Sequence, residues 1–163
     1  MFKNLLRKYF HLGGPGAVPE VDVLRYCGTW YEIAAIPGKQ QRGCANTKAE
    51  YTFDAAKGRV MVRNSCRRKG REASIRATAV PVDGSGNAKL IVTFFRFIKA
   101  DYWVIGLAED YSWALVSNPA GSRCWVLSRT PYMDETLYGQ LLVQLRLKGI
   151  DTARLMKTAQ GCG

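Results

Sequence analysis

Cys27-Gly28-Thr29-Trp30-Tyr31-Glu32-Ile33-Ala34 is the stretch that says most about the fold of this 163-residue chain. A glycine lies two residues before a tryptophan, and a short, largely apolar strand follows. Alone, this pattern is weak evidence. It becomes informative together with two later segments, Glu109-Asp110-Tyr111 and Leu127-Ser128-Arg129-Thr130-Pro131.

A Gly-x-Trp near the start, an acidic-Asp-Tyr turn and an arginine that closes the last strand resemble the three signature regions of the lipocalins. The resemblance covers about Asp22 to Cys162. It extends to the bacterial outer-membrane lipocalins and apolipoprotein D, through residues 28–34 and Ala114-Leu115-Val116. It implies an all-β fold, an eight-stranded antiparallel up-and-down β-barrel that forms a calyx, with one C-terminal α-helix packed outside.

Length and composition are those of an ordinary globular protein. The 163 residues suit one domain with one core; 47% of them are hydrophobic and 23% are charged. No apolar run reaches the roughly 20 residues that a membrane-spanning helix needs. We expect a flexible basic N-terminal arm at residues 1–20 and a lipocalin domain at residues 21–163.

The first ten residues, Met1-Phe2-Lys3-Asn4-Leu5-Leu6-Arg7-Lys8-Tyr9-Phe10, mix cations with bulky apolar side chains. They lack the unbroken apolar core of a signal peptide, and no cysteine lies where a lipoprotein signal would place its acylated residue. We favour a solvated arm that ends at Gly13-Gly14-Pro15-Gly16; the alternative is an amphipathic segment that touches an anionic membrane. Localisation stays open, since the resemblance and the cysteines favour the periplasm or cell envelope and the N-terminus does not.

Turn signals recur about every 8 to 12 residues, as in an antiparallel barrel. They delimit eight predicted strands, at residues 30–36, 47–53, 59–66, 72–82, 89–95, 102–108, 113–117 and 124–128. A helix follows, with acidic residues Asp134 and Glu135 at its start and Lys148-Gly149 at its end. Its apolar face consists of Leu137, Leu141, Leu142 and Leu145.

The signature residues define the fold in the lipocalins and do not contact ligand. The resemblance therefore implies structural roles for Gly28, Trp30, Asp110, Tyr111 and Arg129. We expect the Trp30 ring to plug the closed end of the barrel. The Arg129 guanidinium would stack across it, contributing about 1–2 kcal/mol when desolvated.

Ligand contacts would come from inward-facing side chains nearer the open end, where alternation predicts a mostly apolar wall. The candidates are Tyr51, Val62, Asn64, Val92, Phe94, Trp103 and Trp125. In the sixth strand two alternatives stay open: either Trp103, Ile105 and Leu107 face inward, or Tyr102 and Val104 do. Alternation alone also fits a barrel filled by side chains; the resemblance favours a cavity.

The five cysteines, at positions 27, 44, 66, 124 and 162, show no metal-ligand spacing, and His11 is the only histidine. We therefore expect no metal and no cofactor. The resemblance to apolipoprotein D implies a disulfide between Cys44 and Cys162, with a Cys66–Cys162 bridge as the alternative. Cys27 and Cys124 are expected to be buried or free thiols.

The net charge is +11, and much of the excess clusters around the turn between the third and fourth strands. In a lipocalin this turn borders the open mouth. Arg63, Arg67 and Arg71 would then form a rim that attracts an anionic headgroup while an acyl chain enters the calyx. A solvated basic face explains the cluster equally well. Nucleic-acid binding is not favoured, because no stacking platform or helix-turn-helix pattern accompanies the charge.

The resemblance implies binding, transport or storage of a small hydrophobic ligand of the fatty acid or lysophospholipid type, without covalent chemistry. The predicted partners are this ligand, an anionic lipid among them, and a membrane surface. One alternative is a lipocalin-fold enzyme, for which Glu32 and Asp101 are the only acids we place near an apolar wall. The other is a structural or stress-related protein with a filled barrel. The native ligand and the choice between monomer and dimer stay open.

Overall fold

The computed structural model describes residues 14–161, except for the side chain of Gln40. Eight consecutive antiparallel strands close into a barrel, because the last strand and the second strand both pair with the first. This confirms the predicted fold class. The strands are β1 Gly28–Ala35, β2 Ala45–Asp54, β3 Arg59–Arg68, β4 Arg71–Pro81, β5 Lys89–Phe94, β6 Ile98–Leu107, β7 Trp113–Ser117 and β8 Cys124–Ser128.

The two ends of the barrel differ. At one end, which we call the base, the four-residue helix α1, Val23–Tyr26, lies across the opening. Its cap is Asp22, whose carboxylate accepts hydrogen bonds from the backbone of Leu24 and Arg25. The Val21 N–H donates to the Gly86 carbonyl at 2.8 Å and so attaches this segment to the β4–β5 turn. The other end, which we call the mouth, carries the β1–β2, β3–β4, β5–β6 and β7–β8 connections.

A longer helix, α2, Glu135–Leu147, packs against the outside of the barrel, as predicted. Asp134 caps it by accepting a hydrogen bond from the Leu137 N–H at 3.0 Å. Leu141 and Leu145 are fully buried against the outer face of β1, β6, β7 and β8. No helix formed within residues 14–161 is long and apolar enough to cross a bilayer.

The chain beyond α2 returns to the barrel in a way that the sequence did not predict. A short strand, β9, Met156–Lys157, pairs with Ala34 and Ala35 of β1. The Thr158 N–H then donates to the Ile33 carbonyl at 2.9 Å. The Gln160 side-chain amide donates to the carbonyls of Glu32 in β1 and Thr47 in β2. The tail therefore joins β1 and β2 where the two strands stop pairing.

The part of the predicted N-terminal arm that the structure describes, residues 14–20, lies against the barrel. Pro15 is buried, and the Val18 N–H donates to the Val104 carbonyl at 2.8 Å. Residues 1–13, on which the interpretations of a solvated arm and of a membrane-touching segment rest, lie outside the described residues.

The base is sealed by a cation stacked on an aromatic ring. The Arg129 guanidinium carbon lies 3.8 Å from the centroid of the Trp30 ring, which is completely buried. The same guanidinium donates hydrogen bonds to four backbone carbonyls, those of Arg25, Cys27, Thr29 and Tyr111. One side chain thus connects α1, the start of β1 and the β6–β7 turn.

The remaining signature residues surround this contact. Gly28 has a φ of +98°, and a Cβ there would lie 3.2 Å from the Arg129 guanidinium, so glycine suits the position on two grounds. The Tyr111 hydroxyl accepts a hydrogen bond from the Asp22 N–H at 2.9 Å. Asp110 accepts from the Ser112 N–H at 3.0 Å, and hydrogen bonds from Ser112 lower the pKa of this carboxyl.

The disulfide prediction was wrong: Cys44 is bridged to Cys66 and not to Cys162. The antiparallel register of β2 and β3 sets Ala45 opposite Arg67, so the two cysteines adjoin with their Cα atoms 5.5 Å apart. This pairing also removes the alternative Cys66–Cys162 bridge; Cys162 itself lies outside the described residues. Cys124 is buried and Cys27 partly buried, both as free thiols, and burial raises the pKa of Cys124 to about 12.

Replacing Arg129 by methionine should lower the free energy of unfolding by about 2–4 kcal/mol, because four carbonyls lose a donor and Trp30 loses its stacked cation. Equilibrium urea unfolding followed by circular dichroism measures the change. Arg76→Met, on an exposed position of β4, is the control and should change the value by less than about 0.5 kcal/mol. Equal losses in both variants would contradict the proposed role of Arg129.

Candidate functional site

The barrel encloses a cavity of about 910 Å³ that opens at the mouth. This volume is within the range of roughly 300–1,000 Å³ that is usual for small-molecule sites. The cavity argues against the filled-barrel alternative. Most of its wall is apolar and comes from inward-facing side chains of the strands, among them Val60, Val62, Ala79, Leu90, Val92 and Leu127.

Three tyrosines form a hydrogen-bonded cluster toward the base of the cavity. The Tyr102 hydroxyl lies 2.7 Å from the Tyr26 hydroxyl and 3.1 Å from the Tyr51 hydroxyl. The Tyr26 ring packs on Trp30, with centroids 5.1 Å apart, so the sealed base supports the cluster. Burial raises the pKa of Tyr51 to about 12 and raises those of the other two as well. The three phenols therefore remain protonated hydrogen-bond donors at physiological pH.

The tyrosine cluster (Tyr26, Tyr51 and Tyr102) has more hydroxyl hydrogens than its internal hydrogen bonds use. Three hydroxyls carry three hydrogens, whereas the two short O···O contacts use one hydrogen each. At least one hydroxyl hydrogen is thus not used within the cluster. All three residues line the cavity, so an acceptor on a bound molecule could take this bond. The sequence identified Tyr51 and, as one of two alternatives, Tyr102. It missed Tyr26, for which the only signal is its position four residues before Trp30.

Six of the predicted ligand-contact residues lie in the cavity wall: Tyr51, Val62, Asn64, Val92, Phe94 and Trp125. The seventh, Trp103, does not, and its prediction needs correction. Trp103 lies on the outer side of β6, where the Lys89 ammonium is 4.1 Å from its ring centroid. Its ring packs against the buried apolar side chains between α2 and the barrel. The other alternative for this strand is the observed one, because Tyr102 and Val104 face the cavity.

The predicted arginine rim needs correction at Arg63. Arg63 lies within β3, well before the hairpin turn, and forms ion pairs with Glu50 at 3.3 Å and Glu72 at 3.1 Å. Arg67 and Arg71 are exposed near the β3–β4 turn, but neither lines the cavity. Side chains alternate along β3, so Arg63 and Arg67 face away from the wall that Val60, Val62 and Asn64 form. Arg71 begins β4 opposite Arg68 and is exposed beside the turn. The cations among the cavity-lining residues are Lys39, Lys48, Arg68 and Arg123, of which Lys48 also forms an ion pair with Glu50 at 3.9 Å.

Glu32 is the buried acid of the site, with 8% of its surface exposed. Its carboxylate accepts a hydrogen bond from the Thr158 hydroxyl at 2.6 Å. Burial raises the pKa of Glu32, and the Thr158 bond offsets part of that effect. Asp101, the other acid considered from sequence, also borders the cavity but is exposed. Within residues 14–161, no three His, Cys, Asp or Glu side chains lie close enough together to hold a metal ion.

The comparisons with known proteins agree with this geometry. A family model for the lipocalin-like domain matches residues 21–160. Temperature-induced lipocalin-1 of Arabidopsis thaliana is 37% identical over 152 residues, which is 88% of this chain and 81% of that protein. Outer membrane lipoprotein Blc of Vibrio cholerae is 33% identical over 154 residues, covering 91% of this chain and 90% of the relative.

Among solved structures, insecticyanin from Manduca sexta superposes with a TM-score of 0.71. The match covers 87% of this chain and 82% of insecticyanin at 21% identity, a level at which the likeness speaks for the fold alone. The sequence relatives and the solved barrel therefore agree on the architecture that residues 28–34 first indicated.

The raised pKa of Glu32 predicts a pH-dependent stability. Between the ordinary pKa of 4.5 and the raised folded value, the folded protein keeps a proton that the unfolded chain has released. Stability from this group is therefore highest below pH 4.5 and falls as the pH rises through this window. Glu32→Gln cannot ionise and keeps an oxygen for Thr158. The variant should be more stable than the wild type above the window, and the gain should vanish below it.

Urea unfolding of both proteins at a series of pH values measures this difference. Glu109→Gln, at an exposed acid of the β6–β7 turn, is the control and should keep the pH dependence of the wild type. A constant difference between Glu32→Gln and wild type at every pH would show that burial does not perturb this carboxyl.

Proposed function

We propose, because this chain belongs to the lipocalin family, that its barrel binds and carries a small hydrophobic ligand of the fatty acid or lysophospholipid class. The observation that supports this most directly is the open cavity of about 910 Å³ with its largely apolar wall. Each methylene that moves from water into such a wall contributes about 0.8 kcal/mol. A long acyl chain therefore supplies enough free energy for binding without a covalent bond.

The cations at the mouth give the ligand its orientation. Lys39, Arg68 and Arg123 line the cavity there, and the Arg123 guanidinium is fixed by donating to the Pro37 carbonyl at 3.0 Å. A carboxylate or phosphate can remain partly hydrated beside these side chains, whereas burial at the apolar wall would cost far more. We therefore place the anionic headgroup at the mouth and the chain toward the base.

The tyrosine cluster indicates which type of acyl chain the cavity prefers. Its spare hydroxyl hydrogen lies in an apolar surrounding, where an unmade hydrogen bond is costly. A chain that carries a hydroxyl or carbonyl oxygen near its far end would accept this bond. We propose that the cavity prefers an oxygenated chain over a saturated hydrocarbon of the same length.

Binding rather than catalysis fits the reactive groups that face the cavity. Glu32 already bonds to Thr158, and Cys44 and Cys66 are joined to each other. Burial raises the pKa of the remaining cavity thiol, Cys27, so it stays protonated and weakly nucleophilic. None of the cavity-lining residues within the described part of the chain is a histidine that could act as a base.

Filling part of the cavity should weaken binding. Ala79 is buried and lines the cavity, so Ala79→Phe should weaken palmitate binding by about tenfold or more by taking the volume of the chain. Isothermal titration calorimetry measures the affinity. Val80→Phe is a matched control, because Val80 is the next residue of β4 and is exposed. Wild-type affinity in Ala79→Phe would overturn the proposed site.

The tyrosine cluster should distinguish ligands by one oxygen atom. Wild type should bind 16-hydroxypalmitate more tightly than palmitate by roughly 3- to 10-fold, the equivalent of one hydrogen bond. Tyr102→Phe removes the central hydroxyl of the cluster and should reduce this preference to about one. Tyr132→Phe, at an exposed tyrosine, should retain it. A preference that survives Tyr102→Phe would show that the cluster does not contact the chain.

A further inference from the structure

The β5–β6 turn exposes three large apolar side chains at the mouth. Phe95 is 68% exposed, Phe97 86% and Ile98 59%. We call residues 95–98, which are Phe95, Arg96, Phe97 and Ile98, the aromatic tip. Folding usually hides phenylalanine, and three such side chains within four residues form a contiguous apolar surface. The barrel leaves this apolar surface accessible to a binding partner.

The backbone holds the aromatic tip in a defined shape. Phe94 pairs with Ile98, and the Phe97 N–H donates to the Phe94 carbonyl at 3.2 Å. Phe95 and Arg96 both adopt positive φ, +48° and +70°. This conformation is costly for a bulky residue and is found preferentially at functional positions. The exposure of Phe95 and Phe97 thus belongs to the ordered hairpin.

Cations flank the aromatic tip. Arg96 lies within it and Lys99 directly follows it. The β3–β4 hairpin, at the same end of the barrel, exposes Arg67, Lys69 and Arg71 near its turn. Apolar side chains with cations beside them match an anionic bilayer, where headgroups carry negative charge above a hydrocarbon layer. Arg67 and Arg71, which do not line the cavity, would contact headgroups of this bilayer.

The aromatic tip is continuous with the cavity. Phe95 and Ile98 line the cavity near its mouth, next to Phe94 on the inner wall. An acyl chain that left a bilayer along this surface would reach the cavity without exposing its full length to water. The transfer part of this argument rests on the proposed function, whereas the docking part does not.

We propose that the mouth of the barrel docks on an anionic lipid bilayer, with the aromatic tip inserted at the boundary of the hydrocarbon layer. A second copy of the chain is a less suitable occupant. A two-fold dimer through this face would bring the same surface of both copies together, and the flanking cations would then repel each other.

Co-sedimentation with vesicles tests the docking. The full-length protein should bind vesicles of equal parts phosphatidylglycerol and phosphatidylcholine, and should bind pure phosphatidylcholine at least about tenfold more weakly. Phe97→Ser should lower the partition coefficient on the anionic vesicles by about tenfold, because a phenyl ring leaves the hydrocarbon boundary. Arg96→Gln should weaken binding to the anionic vesicles and leave the weak binding to phosphatidylcholine unchanged.

Leu147→Ser is the matched control, since Leu147 is 79% exposed on α2, which packs against the side wall. It should bind vesicles as the wild type does. Equal losses for Phe97→Ser and Leu147→Ser, or no vesicle binding by the wild type, would overturn the docking proposal. A dimer in light scattering that Phe97→Ser dissolves would assign the tip to a second copy instead.

Palmitate titration separates this proposal from the proposed function. Phe97 does not line the cavity, so Phe97→Ser should bind palmitate in solution as tightly as the wild type. Normal palmitate binding without vesicle binding in the wild type would overturn the docking alone. Vesicle binding that depends on Phe97, in a protein that binds no palmitate, would support the docking and refute the carrier function.

Discussion

The stack of Arg129 on Trp30 is the contact on which the rest of the molecule depends. It closes the barrel with one buried ring, and the four carbonyls that bind the guanidinium attach α1, the start of β1 and the β6–β7 turn to the same point. Because the base is sealed by this group, the strands above it can leave their interior open. A barrel without such a plug would be open to water at both ends.

The cavity is graded in polarity from one end to the other. Cations lie at the mouth, apolar side chains follow along the wall, and the tyrosine cluster lies near the plug. The Cys44–Cys66 bridge and the returning tail hold the mouth side of β1, β2 and β3 in register. A rigid opening suits the proposed carrier function, because ordering a flexible segment on binding would add an entropic cost.

Much of the fold followed from the sequence because its causes are local. Alternation of apolar residues marked the strands, and the change to a helical period marked α2 at nearly its observed bounds. Trp103 shows where such reasoning ends. The β6–β7 register shifts between Val104 and Gly106, and Ile105 packs beneath α2. No pattern within residues 98–107 says which face of β6 the helix will cover.

The sequence by itself determined the barrel, the external helix and the residue types of an apolar calyx, since period and turn chemistry act between near neighbours. Tertiary structure alone decided the Cys44–Cys66 pairing, the absence of Arg67 and Arg71 from the cavity wall, the meeting of three tyrosines and the return of the tail to β1. Each of these depends on how segments of the chain pair with one another, and within a strand pair a register shift of one residue would reverse the face on which a side chain lies.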